Sequence, residues 1–138
     1  MAASGRAGPL QIFGTDYPTP DGTCIRDYIH VSDLARAHLC ALDHLLAEGC
    51  NLALNLGTGR GASIREVLEA IERVTGQQVP HLLAPRRAGD PAELVADPTR
   101  AAQQIGFRAR YRDLDEIIAH AAPGFGLDVA RLPEAVSC

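Results

Sequence analysis

Helical and strand-like segments alternate along this chain, and that alternation constrains the fold more than any other feature of the sequence. A helical stripe of apolar residues covers Leu34–Glu48, and Gly49 stops it. The apolar run Leu52–Leu56 that follows has the length and composition of a strand covered on both faces. Ser63 then opens a capping box at the start of a second helix, which Gly76 ends. The sequence therefore predicts the α/β class.

Further segments extend this alternation towards both ends of the chain. The sequence predicts three more strands and two more helices: strands Leu10–Phe13, Tyr28–Val31 and Val79–Leu83, a short helix begun by Asp97-Pro98 and ended by Gly106, and a last helix Leu114–Ala122. Ser32 or Asp33 is the expected cap of the helix over 34–48. The segment 17–22 (YPTPDG) has the composition of a turn.

Composition agrees with a soluble globular chain of one domain. The 138 residues are 46% hydrophobic and 22% charged, which is typical of globular proteins and unlike disordered or fibrous ones. No apolar run reaches the roughly 20 residues that cross a bilayer, and the first ten residues lack the apolar core of a signal peptide. We therefore expect a cytoplasmic protein with no membrane partner.

The charged and sulfur-containing residues narrow the chemistry. The net charge is −4, which favours neither nucleic acid nor an anionic membrane as a partner. All 13 basic residues are arginine, so the chain can supply no Schiff-base lysine, no phosphate-loop lysine and no lysine beside a catalytic tyrosine. The four cysteines show no CxxC spacing, so neither a disulfide framework nor a metal site is expected. No G-x-S-x-G motif or carboxylate pair stands out, and no catalytic residue is assigned.

A glycine-rich stretch after the run Leu52–Leu56 is the first candidate for a ligand site. Residues 57–62 (GTGRGA) fit the dinucleotide fingerprint G-x-G-x-x-A, in which glycines let a pyrophosphate approach a helix N-terminus. The same residues also fit an ordinary turn into the helix that Ser63 caps. A fingerprint is expected near the start of a nucleotide domain with several strands after it. Only one clear strand follows here, so the ordinary turn is favoured.

A second candidate lies in the Pro- and Gly-bounded loop at 85–91. Arg87 carries a planar fork of donors that matches two phosphate oxygens, and Asp90 could accept hydrogen bonds from ribose hydroxyls. Arg26 could supply a second cation, while Tyr28 and Phe13 offer aromatic surface. The residue pattern alone favours the simpler alternative, a surface Arg–Asp pair that contributes at most about 1 kcal/mol.

Several longer strings occur in order between Leu10 and Leu114. They are LQIFG at 10–14, DYPTPDGT at 16–23, RDYIHV at 26–31 followed by DLA at 33–35, NLGTG at 55–59, and PRR at 85–87 followed by GD at 89–90. In this order they resemble the UDP-glucose 4-epimerases, a family of extended short-chain dehydrogenases. The resemblance implies an NAD-dependent isomerase of galactose metabolism. Such an enzyme oxidises C4 of the sugar, rotates the keto intermediate and reduces it from the other face, which interconverts UDP-glucose and UDP-galactose.

The resemblance also implies roles for eight residues. Gln11, Ile12 and Phe13 would line the uracil site, Arg26 and Arg87 would clamp the pyrophosphate, Tyr28 would form a nearby wall, and Asp90 would accept the ribose hydroxyls. Leu94 stands where some members of the family have a large aromatic residue beside the sugar, so we expect room there for an N-acetyl substituent. In that family the stretch 57–59 is not the NAD loop.

The chain also departs from the family's pattern. The N-terminal glycine-rich fingerprint, the Tyr-x-x-x-Lys couple and the accompanying Ser or Thr are absent. We therefore interpret residues 1–122 as the C-terminal UDP-sugar-binding portion of an extended Rossmann-type fold, followed by a divergent, disordered tail over 123–138. Residues 28–56 would pack on the absent NAD-binding domain, and the strand 52–56 would complete its parallel sheet. The isolated chain is expected to be inactive and prone to aggregate, because the burial of each large apolar side chain contributes about 1.5–3 kcal/mol.

Three other interpretations remain open. The chain could be a stand-alone nucleotide-sugar-binding module, a non-functional gene remnant, or part of an epimerase that acts on another UDP-sugar, such as a pentose or a hexuronate. The UDP-sugar as partner, the NAD held by the absent half and the homodimer usual for full-length members are all expectations from the resemblance.

Overall fold

A computed structural model describes residues 1–130, and residues 131–138 lie outside the described part. Strands and helices alternate in it, which confirms the predicted α/β class. The elements are β1 (Leu10–Phe13), β2 (Ile25–Asp27), α1 (Val31–Glu48), β3 (Gly61–Ser63), α2 (Ile64–Thr75), β4 (His81–Ala84), β5 (Glu93–Leu94), α3 (Thr99–Gln104), α4 (Leu114–Ala121) and a 3-10 helix (Ala122–Phe125). No helix in residues 1–130 is long and apolar enough to cross a membrane.

The strands form two small sheets. β1 and β4 pair in parallel, with Leu10 opposite His81 and Phe13 opposite Ala84. In the second sheet β2 is central, antiparallel to β3 and parallel to β5. Because parallel strands end at the same edge of a sheet, the segments that follow β1 and β4 lie side by side.

Helix α2 forms as the sequence predicts. The hydroxyl of Ser63 accepts a hydrogen bond from the backbone N–H of Glu66, and the Glu66 carboxylate accepts one from the backbone N–H of Ser63. Gly76 ends the helix in the left-handed conformation, with φ of 70°. Ala70 and Val74 are buried on the inner side, where α2 packs against α4.

Helix α1 begins earlier than predicted, so the strand predicted over Tyr28–Val31 is wrong. The ladder stops at Asp27 with the end of β2, and the helix starts at Val31. Its cap is His30, whose Nδ1 accepts a hydrogen bond from the backbone N–H of Ser32 at 3.0 Å. The predicted caps do not act, because Asp33 is buried and accepts hydrogen bonds from elsewhere in the chain.

The run Leu52–Leu56 forms no strand and pairs with no other segment of the described chain. Its apolar side chains are used differently: Leu54 and Leu56 pack against a core made of Ala37, Ala101 and Phe107. A strand forms only where a neighbouring strand can accept its hydrogen bonds, and residues 1–130 supply no such neighbour for this run. That the run completes the sheet of an NAD-binding domain stays a prediction.

The predicted boundary at residue 122 falls at the first residue of the 3-10 helix. The 3-10 helix continues the chain through Phe125, and the backbone N–H of Ala130 donates to the carbonyl of Val74 at 2.8 Å. Backbone hydrogen bonds thus connect parts of residues 123–130 to the rest of the chain, although most of these residues are exposed. That a divergent, disordered tail covers 123–138 stays a prediction. The last part of the predicted tail, 131–138, lies outside the described residues.

Candidate functional site

The loop after β4 brings Arg87 back to the end of β1. Its guanidinium lies over the ring of Phe13, with Cζ 3.7 Å from the ring centroid. A cation–π contact of this kind uses the face of the guanidinium and leaves the N–H donors at its edge unused. Arg87 makes no ion pair and no side-chain hydrogen bond with the residues that the structure describes. Its donors are therefore available to a ligand.

Arg26, on β2, is held beside the same loop by three acceptors. It donates to a carboxylate oxygen of Asp90 at 2.8 Å, to the carbonyl of Pro91 at 3.1 Å and to the carbonyl of Ile25 at 2.7 Å. The pairing of β2 with β5 brings the loop alongside. Asp90 therefore pairs with Arg26 across 64 residues of sequence and not with its neighbour Arg87. The second oxygen of the Asp90 carboxylate accepts no hydrogen bond from the residues described.

Three more of the predicted site residues lie on the strands beside these arginines. Leu94 is opposite Arg26 in the β2–β5 pair, and its side chain is 61% exposed. Gln11 is exposed on β1, whereas the next side chain, Ile12, is only 3% exposed. Ile12 can therefore offer a ligand its backbone but not its side chain.

Tyr28 lies apart from this group. Its ring lines an apolar cavity of about 360 Å³ together with Leu10, Ile64 and Ile118. It makes no hydrogen bond or ring contact with Arg26 or Arg87 in the described part of the chain. Burial raises the pKa of Tyr28, with a smaller contribution in the same direction from Cys24 and an opposing one from Arg26. The phenol therefore stays protonated at neutral pH.

The neighbouring residue Arg86 also stacks on an aromatic ring, but its guanidinium is paired with a carboxylate. Its guanidinium stacks over the ring of Tyr17, with Cζ 4.2 Å from the centroid, and its Nε donates to the carboxylate of Asp16 at 2.7 Å. Arg86 also donates to the backbone carbonyl of Asp16. Two consecutive arginines thus differ in one respect: Arg86 is neutralised by a carboxylate of the chain, whereas Arg87 is not.

The glycine-rich stretch 57–59 is filled by a carboxylate of the chain itself. Asp27 accepts hydrogen bonds from the backbone N–H of Thr58 at 2.9 Å, from the Thr58 hydroxyl at 2.7 Å and from the backbone N–H of Gly59 at 3.0 Å. A Cβ at Gly57 would lie 2.4 Å from an oxygen of Asp27, so this close approach requires glycine. The structure favours the ordinary turn over a pyrophosphate loop, because the donors that would bind phosphate are already used.

Sequence reasoning missed Asp27 and the Phe13–Arg87 contact. The signal for Asp27 was present, because it follows Arg26 directly in the string RDYIHV. No local signal existed for the Phe13–Arg87 contact, which depends on the parallel pairing of β1 with β4.

Comparisons of the sequence and the fold with known proteins give one consistent result. A profile of the "NAD dependent epimerase/dehydratase family" matches residues 1–57. The UDP-glucose 4-epimerase of Azospirillum brasilense is 57% identical over 121 residues, which are 88% of this chain and 35% of that protein. The crystal structure of UDP-glucose 4-epimerase from Brucella ovis in complex with NAD is 61% identical, with a TM-score of 0.86, and the match covers 93% of this chain and 39% of that one.

A second solved structure carries a nucleotide sugar. The UDP-glucose 4-epimerase from Stenotrophomonas maltophila, with bound NAD and formylated UDP-arabinopyranose, is 46% identical with a TM-score of 0.78. The match covers 85% of this chain and 34% of that one. The chain therefore spans about a third of the length of the relatives that it matches.

Parallel strands with a cluster of charged residues beside their ends define part of a Rossmann-type α/β protein. Residues 1–57 match the NAD-dependent epimerase/dehydratase family. The chain is similar to one portion of the UDP-glucose 4-epimerases.

Proposed function

We propose that this chain is the UDP-sugar-binding portion of an NAD-dependent UDP-glucose 4-epimerase, an isomerase that interconverts UDP-glucose and UDP-galactose. The observation that carries the proposal is the unpaired guanidinium of Arg87 beside the Arg26–Asp90 ion pair. The phosphate oxygens of a nucleoside diphosphate can accept hydrogen bonds from the Arg87 guanidinium. The ribose hydroxyls can donate to the Asp90 oxygen that Arg26 does not use.

Each residue then has a role that its surroundings support. Arg87 binds the diphosphate through its planar fork of donors, which remains charged at every working pH. Arg26 adds positive charge at the same place, and Asp90 accepts a ribose hydroxyl with the oxygen that Arg26 does not use. Gln11, the backbone of Ile12 and the ring of Phe13 line the base subsite on β1. Tyr28 borders the neighbouring apolar cavity.

The redox chemistry belongs to residues that this chain does not contain. NAD supplies hydride removal and return in the proposed whole enzyme, but the described residues do not fit its diphosphate, since Asp27 fills the glycine-rich stretch 57–59. The chain has no lysine to accompany a catalytic tyrosine. We therefore propose that this chain alone is inactive, and that the leucines exposed on α1 (Leu39, Leu42 and Leu46) face the NAD-binding portion.

Calorimetry with the full chain tests the binding part of the proposal. UDP is expected to bind saturably, and Arg87→Ala to weaken it at least tenfold, because a charge-assisted pair with phosphate is lost. Arg86→Ala is the matched control, and it should leave the affinity unchanged because its charge is already paired with Asp16. Equal loss in both variants would show that general positive charge, and not the site, attracts the nucleotide.

Complementation tests the enzymatic part. The chain is co-expressed with the N-terminal remainder of the Brucella ovis enzyme, and conversion of UDP-galactose is measured with NAD present. The proposal expects activity from the pair and none from either part. Leu46→Glu should abolish activity and leave UDP binding intact, because it places a charge on the exposed side of α1, a helix that carries none of the predicted site residues. Inactivity of the pair would contradict the proposal.

The exposure of Leu94 supports a proposal about the substrate. Its side chain is open to solvent opposite Arg26, and a group smaller than an aromatic ring leaves room for an N-acetyl substituent on the sugar. In the complemented enzyme we expect turnover of both UDP-glucose and UDP-GlcNAc. Leu94→Tyr should lower the second at least fivefold relative to the first, and equal effects on both would refute the role of Leu94.

The same site also favours a second candidate, a stand-alone nucleotide-sugar-binding module, because its charged residues all come from this chain. That alternative predicts a sharp cooperative melt of the isolated chain, UDP binding, and no complementation. A chain that neither binds UDP nor complements would fit a gene remnant.

A further inference from the structure

The guanidinium of Arg87 makes no hydrogen bond with the residues that the structure describes. The structure fixes its neighbour Arg86 through a carboxylate and a carbonyl of Asp16 as well as through a ring. For Arg87, among the residues described, the ring of Phe13 is the one contact of the guanidinium that orders it.

That difference has a chemical consequence. A carboxylate that ordered Arg87 would occupy the same donors that a phosphate needs, and would compete with the ligand for them. An aromatic ring orders the guanidinium through its face and leaves the donors at its edge unused. It also reduces the rotamer freedom that a long side chain must otherwise lose when a ligand binds.

The strand pairing fixes the ring where this contact needs it. Phe13 is the last residue of β1, and Ala84, its partner across the parallel pair, is the last residue of β4. Arg87 leaves β4 through Pro85, which restricts the backbone between them. The ring and the loop are therefore held by the same two strands, and one face of the ring is covered by the guanidinium before any nucleotide arrives.

We propose that Phe13 is a positioning residue for Arg87, and that its ring prepares the guanidinium for the diphosphate in addition to bordering the base subsite. The proposal rests on the proposed function, because it concerns the same nucleotide site. It predicts that Phe13 contributes to the diphosphate part of the affinity more than to the nucleoside part.

Calorimetry of the full chain with uridine, UMP and UDP separates those parts. Phe13→Leu keeps an apolar side chain and removes the π face, and its loss of affinity for UDP is expected to exceed its loss of affinity for uridine three- to tenfold. Phe13→Tyr retains the face and should bind UDP within twofold of the wild type. In the Arg87→Gln background, Phe13→Leu should weaken UDP no more than it weakens uridine, because the group that it positions has gone.

Other outcomes would overturn the inference. An equal loss for uridine and UDP in Phe13→Leu would make Phe13 a wall of the base subsite only, and independent effects of the two substitutions would mean that Phe13 does not act through Arg87. If Phe13→Leu does not fold, Phe13→Met serves in its place, because it also keeps an apolar side chain and lacks the ring.

A measurement without ligand judges the contact separately from the proposed function. The δ-methylene protons of Arg87 should show an upfield ring-current shift in NMR spectra of the wild type, and Phe13→Leu or Phe13→Met should remove it. Absence of the shift in the wild type would refute the inference. If the shift is present and the wild type binds no UDP, the proposed function is the part that fails.

Discussion

Helices α1 and α2 carry similar sequence signals but differ in how completely the chain covers them. In α2 the charged residues face solvent and the apolar stripe is half-buried or buried against α4. In α1 one side is covered, where Ala37 and Asp33 are about 1% exposed, while Leu39, Leu42 and Leu46 stand at 50–78% exposure on the other. The chain therefore covers the apolar side of α2. It covers only one of the two sides of α1 that carry apolar residues.

The uncovered side of α1 indicates where a further part of the protein would pack. A helix that is apolar all round is built for burial on both sides, and the run Leu52–Leu56 beside it also lacks the pairing that its composition predicts. Both features lie in residues 28–56, which we propose face the NAD-binding portion. If α1 is held firmly on its covered side alone, substitutions on its two sides should differ in their effect on stability.

Removing the ring of Phe107 should have the largest effect on stability. Phe107 is fully buried beneath α1 with Ala37 and Ala101, so Phe107→Ala should lower the free energy of unfolding by about 3–5 kcal/mol. Domains are stable by only about 5–15 kcal/mol, so this loss would be a large part of the chain's total stability. Leu46→Ala, on the uncovered side of α1, should change it by less than about 0.5 kcal/mol. Urea unfolding measures both, and similar losses would show that the leucine surface is covered.

Asp27 connects the end of β2, just before α1, to the turn that precedes α2. Its removal should therefore affect the segments before both helices. Its carboxylate is the acceptor for three donors of the turn that precedes α2, and Asp27→Ala should cost about 2–3 kcal/mol because these donors lose a charged partner. The change should also increase hydrogen exchange at the Thr58 and Gly59 amides. Asp43→Ala on the exposed side of α1 is the control. A loss no greater than that of the control would mean that water replaces the carboxylate at no cost.

Asp33 makes the covered side of α1 sensitive to acid. Burial alone would raise the pKa of Asp33, but hydrogen bonds from Arg36 and from the backbone N–H groups of Tyr111 and Arg110 outweigh it, so the pKa lies below its ordinary value. A lowered folded pKa means that the stabilisation is complete above the unfolded value of about 4 and is lost as the pH falls through the folded value. Asp33→Asn should lower the free energy of unfolding at pH 7 by about 2 kcal/mol and flatten its decline below pH 4.

The Asp43→Asn variant on the same helix provides the control for that pH dependence. Asp43 is exposed and makes no hydrogen bond with the residues described, so its replacement should leave the curve of stability against pH unchanged. If Asp33→Asn follows the same curve as Asp43→Asn, other carboxylates cause the acid sensitivity.

The sequence predicted correctly those features that depend only on residues close together in the chain. The strand Leu10–Phe13, the capping box at Ser63 and the left-handed glycines 49 and 76 are confirmed, because each depends on neighbours within a few residues. The start of α1 was not readable, because a histidine caps it and Asp33 is engaged by a segment 77 residues away.

The candidate site shows the same division. Five of the site residues stood out in the residue pattern and the resemblance implied all eight, whereas neither gave their contacts. Asp90 stands three positions from Arg87 in the sequence yet pairs with Arg26 on another strand, and Arg87 instead meets Phe13. Both contacts follow from parallel pairings between segments far apart in the chain, and composition carries no information about which strands will pair.

Substitution of the glycines that end α1 and α2 should change the free energy of unfolding least, and it compares the two helices directly. Gly49 and Gly76 have nearly the same left-handed backbone, with φ of 68° and 70°, and a Cβ would meet nothing within 4 Å at either position. Glycine to alanine should therefore carry the same conformational cost at both, about 1 kcal/mol. Gly76→Ala should lower the free energy of global unfolding by that amount. We expect a smaller loss from Gly49→Ala, together with faster hydrogen exchange in the last turn of α1, because that end of the helix can fray without uncovering the Phe107 core. Equal losses in urea unfolding would mean that α1 unfolds only with the whole chain, and that its uncovered leucines do not weaken it.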